Sequence, residues 1–478
     1  MIIMPKPNAG TEMIKIADFF QGSPLPFSVL SDQFTNAAFP DKKLEVRNGG
    51  YGSDAAAHPT NPNQFYVLTD RGPNADFNGE AGAGKLFLLP DYTPRIGLFE
   101  LQADGQILLI KEILLKDAQG HPISGLPNPK AFGGTNEVPY DVDGQLMVVN
   151  PELPYNEIDN PIKNDINGLD PEGLAALNDG SFWISDEYGP HLVHYDSEGV
   201  EIERINPFAN DERNNAMANG KRLLLPIEFI NRRANRGMES LTITPDQTTL
   251  VGVMESAMDN PSKESRDSDL TRIVAIKLAT GQIAQFLYRL NTAKHVISAI
   301  TAINSHQFYV IEHDRQMPLQ TDEAQKRIYK IDISQATDIA AVNNLDKVVQ
   351  NNTMSIEQDQ NLGLTVDKQT LEQFLTNDEA WQALANMSIK PVSKTLVADV
   401  LAELDYPHDK LEGLWLRQDG SLGLLNDDDF AITDATTTNL APSNSTVNKL
   451  DHLVEQKYLD SDNTIVDANR LYLVMPSE

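Results

Sequence analysis

Asp170-Pro171-Glu172-Gly173-Leu174-Ala175-Ala176-Leu177-Asn178-Asp179-Gly180-Ser181-Phe182-Trp183-Ile184-Ser185-Asp186-Glu187 reads as a β-hairpin closed by acids. A short apolar run leads into Asp179-Gly180, and a strand with Phe182 and Ile184 in alternation follows. Two short strands about an Asp-Gly turn are the strongest short-range hairpin signal. Working outward, the phrase returns. Met238-Glu239-Ser240-Leu241 leads through Pro245-Asp246 to Leu250-Val251-Gly252-Val253-Met254-Glu255. Leu411-Glu412-Gly413-Leu414 leads through Asp419-Gly420 to Leu424-Leu425-Asn426-Asp427. Looser copies run from Ser53-Asp54 to Asp70 and from Ser298 to Glu312.

In every copy an acid closes the second strand, at 70, 186, 255, 312 and 427, and four copies also open with one. The opening and closing acids are 14 residues apart for Glu172 and Asp186, and 16 for Glu239 and Glu255. They are 15 apart for Glu412 and Asp427, and 16 for Asp54 and Asp70. Two strands of about five residues plus a turn need that length, so each pair lies near one end of its hairpin.

The closing acids are separated by 116, 69, 57 and 115 residues. Repeats of that size predict an all-β fold, a β-propeller. Six blades are expected, with seven as the alternative, in a single domain over 12–478. Both long gaps carry inserted material. Pro122–Asn167 is rich in Pro and Asn and reads as loop. The 367–388 stretch places Leu371, Phe374, Leu375, Trp381 and Leu384 at helical spacing, with Trp381 packing. The closing strand, from Arg470 to Met475, is expected to share a blade with the other end of the chain.

The 478 residues include 38 Lys and Arg against 69 Asp and Glu, a formal charge of −31. Such a surface repels nucleic acid and anionic lipid, and keeps a secreted protein soluble. No cysteine occurs, which removes disulfides, thiolate metal sites and a cysteine nucleophile. No apolar run reaches the roughly 18 residues of a membrane span. The start, Met1-Ile2-Ile3-Met4-Pro5-Lys6, lacks a full signal-peptide pattern.

The phrases also resemble a known family, that of the esterase-like activity of phytase. Thr69-Asp70-Arg71-Gly72, Asp170-Pro171-Glu172-Gly173, Asp186-Glu187-Tyr188-Gly189-Pro190, Asn235-Arg236-Gly237-Met238-Glu239, and Lys410-Leu411-Glu412-Gly413 with Asn426-Asp427-Asp428-Asp429-Phe430 carry the resemblance, in order, over roughly 45–430. It implies a phytase-like β-propeller and a secreted or periplasmic protein. The chain departs from the pattern at Glu312-His313-Asp314-Arg315, where the family often places Glu-Arg-Asp.

Carboxylates crowded in a channel cannot all stay ionised unaided, so either their pKa values rise or a cation neutralises them. Calcium takes six to eight oxygens in flexible geometry and is the expected cofactor. Its expected ligands are Glu172, Glu239, Glu255 and Glu412, with Asp70, Asp186, Glu187 and Asp427 beside them. Arg71, Arg236 and Lys410 are the expected anion partners of a small-molecule substrate. Glu172, Glu239 and Glu412 are the expected catalytic acids, with a metal-bound water attacking a phosphate ester. Two other functions fit the same residues: a binding or scaffold propeller around a structural calcium, and a lactone or carboxyl-ester hydrolase.

Other motifs are discounted. Gly79-Glu80-Ala81-Gly82-Ala83-Gly84-Lys85 has phosphate-loop spacing but is followed by Leu86, and reads as a flexible loop. His191 and His194 fall on a strand and face opposite ways, a poor zinc pair. No Gly-x-Ser-x-Gly elbow occurs, and Asp141-Val142-Asp143-Gly144 reads as a turn, not an EF-hand.

Overall fold

The computed structural model describes residues 19–36, 41–134, 137–349, 352–434 and 454–477. Of the expected domain, residues 12–18, 37–40, 135–136, 350–351, 435–453 and 478 lie outside these. The protein is all-β, with many small antiparallel sheets and few helices. All five predicted hairpins form: Tyr51–Ala57 with Gln64–Thr69, Pro171–Ala176 with Phe182–Asp186, Met238–Ile243 with Thr249–Met254, Val296–Ala302 with Gln307–His313, and Gly413–Leu416 with Leu422–Leu425. In the second, Gly180 adopts φ 89° and donates its N–H to Leu177 O, while Leu177 N–H donates to Ser181 O. A residue without Cβ takes that left-handed φ freely, so the Asp-Gly pair sets where the chain reverses.

Each hairpin starts a four-stranded sheet. The first adds Arg95–Leu101 and Ile107–Leu114, and the second adds Leu192–Tyr195 and Glu201–Ile205. The third adds Leu270–Lys277 and Gln282–Arg289, and the fourth Lys326–Asp332 and Ser393–Asp399. The fifth is completed from both ends of the chain, Arg470–Val474 pairing with Leu422–Leu425 and Ser23–Pro24 pairing with Arg470 and Leu471.

The first strands of these sheets are neighbours in a circle: 51–57, 171–176, 238–243, 296–302, 413–416, and back to 51–57. Alternation along each strand sends apolar side chains into the gap between sheets. Five apolar clusters fill the five gaps. Leu68 and Ile96 meet Leu174 and Ile184, and Ala175 and Trp183 meet Leu241 and Leu250. Val251 and Ile273 meet Ile300 and Phe308, and Ile311 and Ile328 meet Leu414 and Leu424. Across the last gap the rings of Phe65 and Trp415 stack with centroids 4.7 Å apart. Each large side chain buried this way contributes about 1.5–3 kcal/mol, so these gaps hold the sheets together.

The spacing argument expected six blades; among the described residues the inner strands of five four-stranded sheets touch one another in turn. A sixth four-stranded sheet exists, Leu345–Val349, Asn352–Asp359, Gly363–Val366 and Gln369–Thr370, but it is an excursion between two strands of the fourth sheet. It packs outward with the helices Leu371–Phe374 and Asp378–Asn386, placing Leu364, Val366, Leu371 and Leu384 against Leu270 and Leu287. Trp381 is buried in that cluster, and its indole N–H donates to Asp269 at 2.6 Å. The 122–167 stretch is mainly loop, with a short strand at Val138–Tyr140.

The Gly79–Lys85 segment is a hairpin, not the flexible loop expected. Asn74–Gly79 pairs with Gly82–Phe87, and Val138–Tyr140 adds parallel to the second strand. Ala75, Phe77 and Leu86 alternate inward to pack on Tyr140 and Phe430, a packing that the glycine count hides.

Candidate functional site

The inner strands do not run straight into their hairpins. The register slips between Pro171 and Gly173, Met238 and Ser240, Ile297 and Ala299, and Tyr51 and Asp54. A β-bulge re-aims the side chain it carries. The residue just before the first regular pair is Ser53, Glu172, Glu239, Ser298 or Glu412 in the five sheets. Its partner strand carries, two residues past that pair, Asp70, Glu187, Glu255, His313 or Asp427. These positions repeat around the circle and bring the acids together.

Asp70, Glu172, Glu187, Glu239 and Glu412 line one cleft of about 760 Å³, with Arg71, Arg233, Arg236, Arg315 and Lys410. Two groups of carboxylates there have oxygens within 4.8 Å of one another: Asp170, Glu172 and Glu187, and Glu187, Glu239 and Glu255. Glu187 belongs to both. Burial, then the nearby Asp170 and Glu255, pushes the Glu187 carboxyl up to about 7, against the pull of Arg71. Burial and the neighbouring acids hold Glu172 and Glu239 well above the usual carboxylate range. Burial also raises Asp70, with Asp427 and Asp170 adding to it. Glu412 rises to about 8 through burial, with Lys410 opposing and Asp427 and Asp429 reinforcing.

The donors fit a hard divalent cation. They are all carboxylate oxygens, they crowd to the point of favouring protons, and the buried Glu255 Oε2 has no hydrogen-bond partner among the described residues. Calcium's preference for many oxygens in irregular geometry suits them.

The cations are mostly engaged. Arg71 is buried, 3.2 Å from Glu137 and 3.6 Å from Glu187, and also pairs with Asp170 and Asn235. Arg236 lies 3.2 Å from Glu255. Lys410 lies 2.8 Å from Asp427, 2.6 Å from Asp429 and 3.9 Å from Glu412. Lys457 joins Asp429 from its other side at 2.6 Å, and the two lysines hold the Asp429 carboxyl below the usual range although burial opposes them.

Of the expected residues, the cleft gathers Asp70, Glu172, Glu187, Glu239 and Glu412, and Glu255 joins them through the shared cluster. Asp427 is buried against Lys410. Asp186 sits one residue off the inward face. Its oxygens accept from the backbone N–H of Asp170 at 2.8 Å and of Gly189 at 2.9 Å, and it enters neither cluster. Burial raises it to about 6. The closing acid Glu312 is likewise off that face, bonded to His295, Tyr288 and Lys394, and His313 takes the inward position. Asp54 is fully buried and accepts from Ala55 and Leu174 N–H, a tie between adjacent inner strands.

Sequence reading missed Asp170, Glu137, Arg233 and Arg315. Asp170 stood inside a quoted motif, as the acid before Pro171. Arg315 was shadowed by the departure at His313, yet its guanidinium reaches Glu255 at 2.7 Å. His191 bonds Asn128 and Asn206, and His194 stacks on Trp183, so the two do not converge.

A family model described as "Phytase-like: Esterase-like activity of phytase" matches residues 47–430. An "uncharacterized secreted protein" of Arthroderma benhamiae is 29% identical over 185 residues, which is 34% of this chain and 33% of that relative. The match thus spans about a third of the relative's length. Among solved structures, a streptogramin B lyase aligns with 84% of this chain and 94% of its own at 10% identity and a TM-score of 0.25. A nidogen/laminin complex aligns with 57% of this chain and 77% of its own at 8% identity and 0.23. At those scores the two structural likenesses carry no argument. No helix among the described residues is long and apolar enough to cross a membrane.

Proposed function

The chain belongs to the phytase-like family described by esterase-like activity of phytase, and on that premise we propose that it is a calcium-dependent hydrolase of phosphate esters. The observation that carries the reading is the pair of carboxylate triads sharing Glu187. We read the circle of five sheets as a closed five-bladed propeller forming one domain, with 122–167 and 367–388 as excursions from it, and the triads as its channel site.

Asp170, Glu172, Glu187, Glu239 and Glu255 would hold calcium. Bound there, calcium would neutralise the crowded acids and polarise a phosphoryl oxygen as a Lewis acid. Arg236 and Arg315, both on Glu255 Oε1, flank the place where a phosphoryl group would sit. Glu172, the one triad acid that solvent reaches, would ionise once a cation neutralises its neighbours and would then take the proton lost by the attacking water. Glu412 stands outside both triads and holds a proton near neutral pH, so its carboxyl protonates the leaving alcohol oxygen as the P–O bond breaks. The description of the fungal relative supports a secreted or periplasmic setting.

The test is calcium calorimetry on chelator-stripped protein, followed by phosphatase assays with and without the metal. Metal-dependent phosphate release is expected. Tight calcium without turnover on phosphate or carbon esters would turn the reading to a binding propeller with a structural ion. Release from carbon esters alone would make it a lactone or carboxyl-ester hydrolase.

A further inference from the structure

The turn that carries Arg236 into the cleft runs from the 3-10 helix Ile227–Asn231 to the inner strand Met238–Ile243, and holds arginines at 232, 233 and 236. Arg236 N–H donates to Arg233 O at 3.1 Å, and the two residues form an isolated bridge. Almost every polar side chain on this turn is committed. Arg232 is buried and donates to Tyr188 O at 2.7 Å and to Gly133 O. Asn235, at φ 55°, accepts from Arg71. Arg236 pairs with Glu255.

Arg233 differs. It lines the cleft, is half-buried, and makes no side-chain ion pair or hydrogen bond among the described residues. The acids that could have served it are taken. Arg266 grips Asp259 with two bonds of 2.6 Å, and Arg236 and Arg315 share Glu255. Burial, and then the like charges of Arg236 and Arg266, press its guanidinium below the usual arginine range. A guanidinium on a hydrogen-bonded turn, partly out of water and without an ion-pair partner among the described residues, leaves its donors open toward the cleft.

We propose that Arg233 is the substrate-anion recognition residue of this cleft, taking a phosphate or like oxyanion of the ligand on its free guanidinium. That the anion belongs to a substrate rests on the hydrolase reading, whereas the anion site itself does not. An arginine fork matches a tetrahedral oxyanion with two parallel N–H bonds, stronger than neutral ones and selective in direction. It would orient the ester relative to the triads without touching the reacting bond, a contribution to binding more than to the chemical step.

Inorganic phosphate, titrated by calorimetry into the calcium-loaded full chain, tests this. Wild type is expected to bind it, and Arg233→Gln to bind it at least about tenfold more weakly with calcium affinity unchanged. Arg233→Lys, which keeps the charge and loses the fork, should fall between them. Because Arg233 has no side-chain partner among the described residues to lose, the Gln variant should melt with wild type. Phosphate binding equal in wild type and both Arg233 variants, or no binding by wild type, would overturn the proposal. The hydrolase reading fails separately: with no turnover of esters but Arg233-dependent phosphate binding, the anion site stands and the hydrolase does not. Should esters turn over, the Gln variant is expected to raise KM with kcat little changed, and an unchanged KM would count against Arg233 alone.

Discussion

Arg315 Nη2 lies 2.7 Å from Glu255 Oε1, joining the loop after the fourth sheet's second strand to the end of the third sheet's. Glu255 is fully buried, while the arginine side chain is partly open to solvent. Arg315→Gln leaves the carboxylate with Arg236 alone. A loss of about 1 kcal/mol in stability is expected by denaturant melts, since one of two partners remains. In ester assays KM should rise, and a variant unchanged in both respects would remove Arg315 from the site.

Glu239 sits in the second triad, where burial and then Glu255, Glu187 and Glu412 disfavour its charge. Glu239→Gln should therefore have opposite effects with and without metal. In chelator the melting temperature should rise by about 1–3 °C, because a crowded acid is gone. Calcium should bind at least about tenfold more weakly and protect less. A lower melting temperature in chelator would contradict the crowding argument.

The same crowding sets a pH window. Glu187 and Glu412 are pushed up to about 7 and about 8, against roughly 4.3 for a free glutamate. Between those limits the folded protein keeps protons that the unfolded chain has released, so stability falls as pH rises. Thermal midpoints in chelator should decline from pH 5 to 8 and be flatter in calcium, which replaces the protons. Calcium binding at neutral pH should release protons, read by calorimetry in buffers of different ionisation enthalpy. A chelated midpoint that climbs across this range would refute the assignment.

Arg71 was expected from sequence to meet the substrate, yet its buried guanidinium is surrounded by Glu137, Asp170 and Glu187. Arg71→Met strands those acids, and a loss of about 3–5 kcal/mol is expected in equilibrium unfolding. A variant as stable as wild type but poor in substrate binding would return Arg71 to the anion role.

Contact between the first and fifth sheets depends on close backbone approach. A Cβ at Gly52 would collide with the backbone of Asn426 and Asp427. Gly52→Ala should cost at least about 2 kcal/mol, and limited proteolysis should open the chain near its ends. An undisturbed melt would mean the two sheets can separate without loss.

The five hairpins, their turns and the end of each at which acids gather were legible in the sequence. They rest on short-range rules, since alternation with period two and an Asp-Gly turn need only a dozen neighbouring residues. Family motifs told the same story over most of the chain. Where the four-stranded sheet at 345–370 packs was not legible, because its local pattern is that of any other sheet and only contacts with Leu270 and Leu287 place it. Nor was the choice of Glu187 over Asp186, or of His313 over Glu312. A one-residue slip at a bulge sends a side chain to the opposite face, and register is settled by pairing across strands rather than along one. Arg71, Arg233 and Arg315 are alike as sequence. Tertiary structure alone surrounds the first with acids, leaves the second facing the cleft, and brings the third to Glu255, because a charge is defined by the partners that distant strands deliver to it.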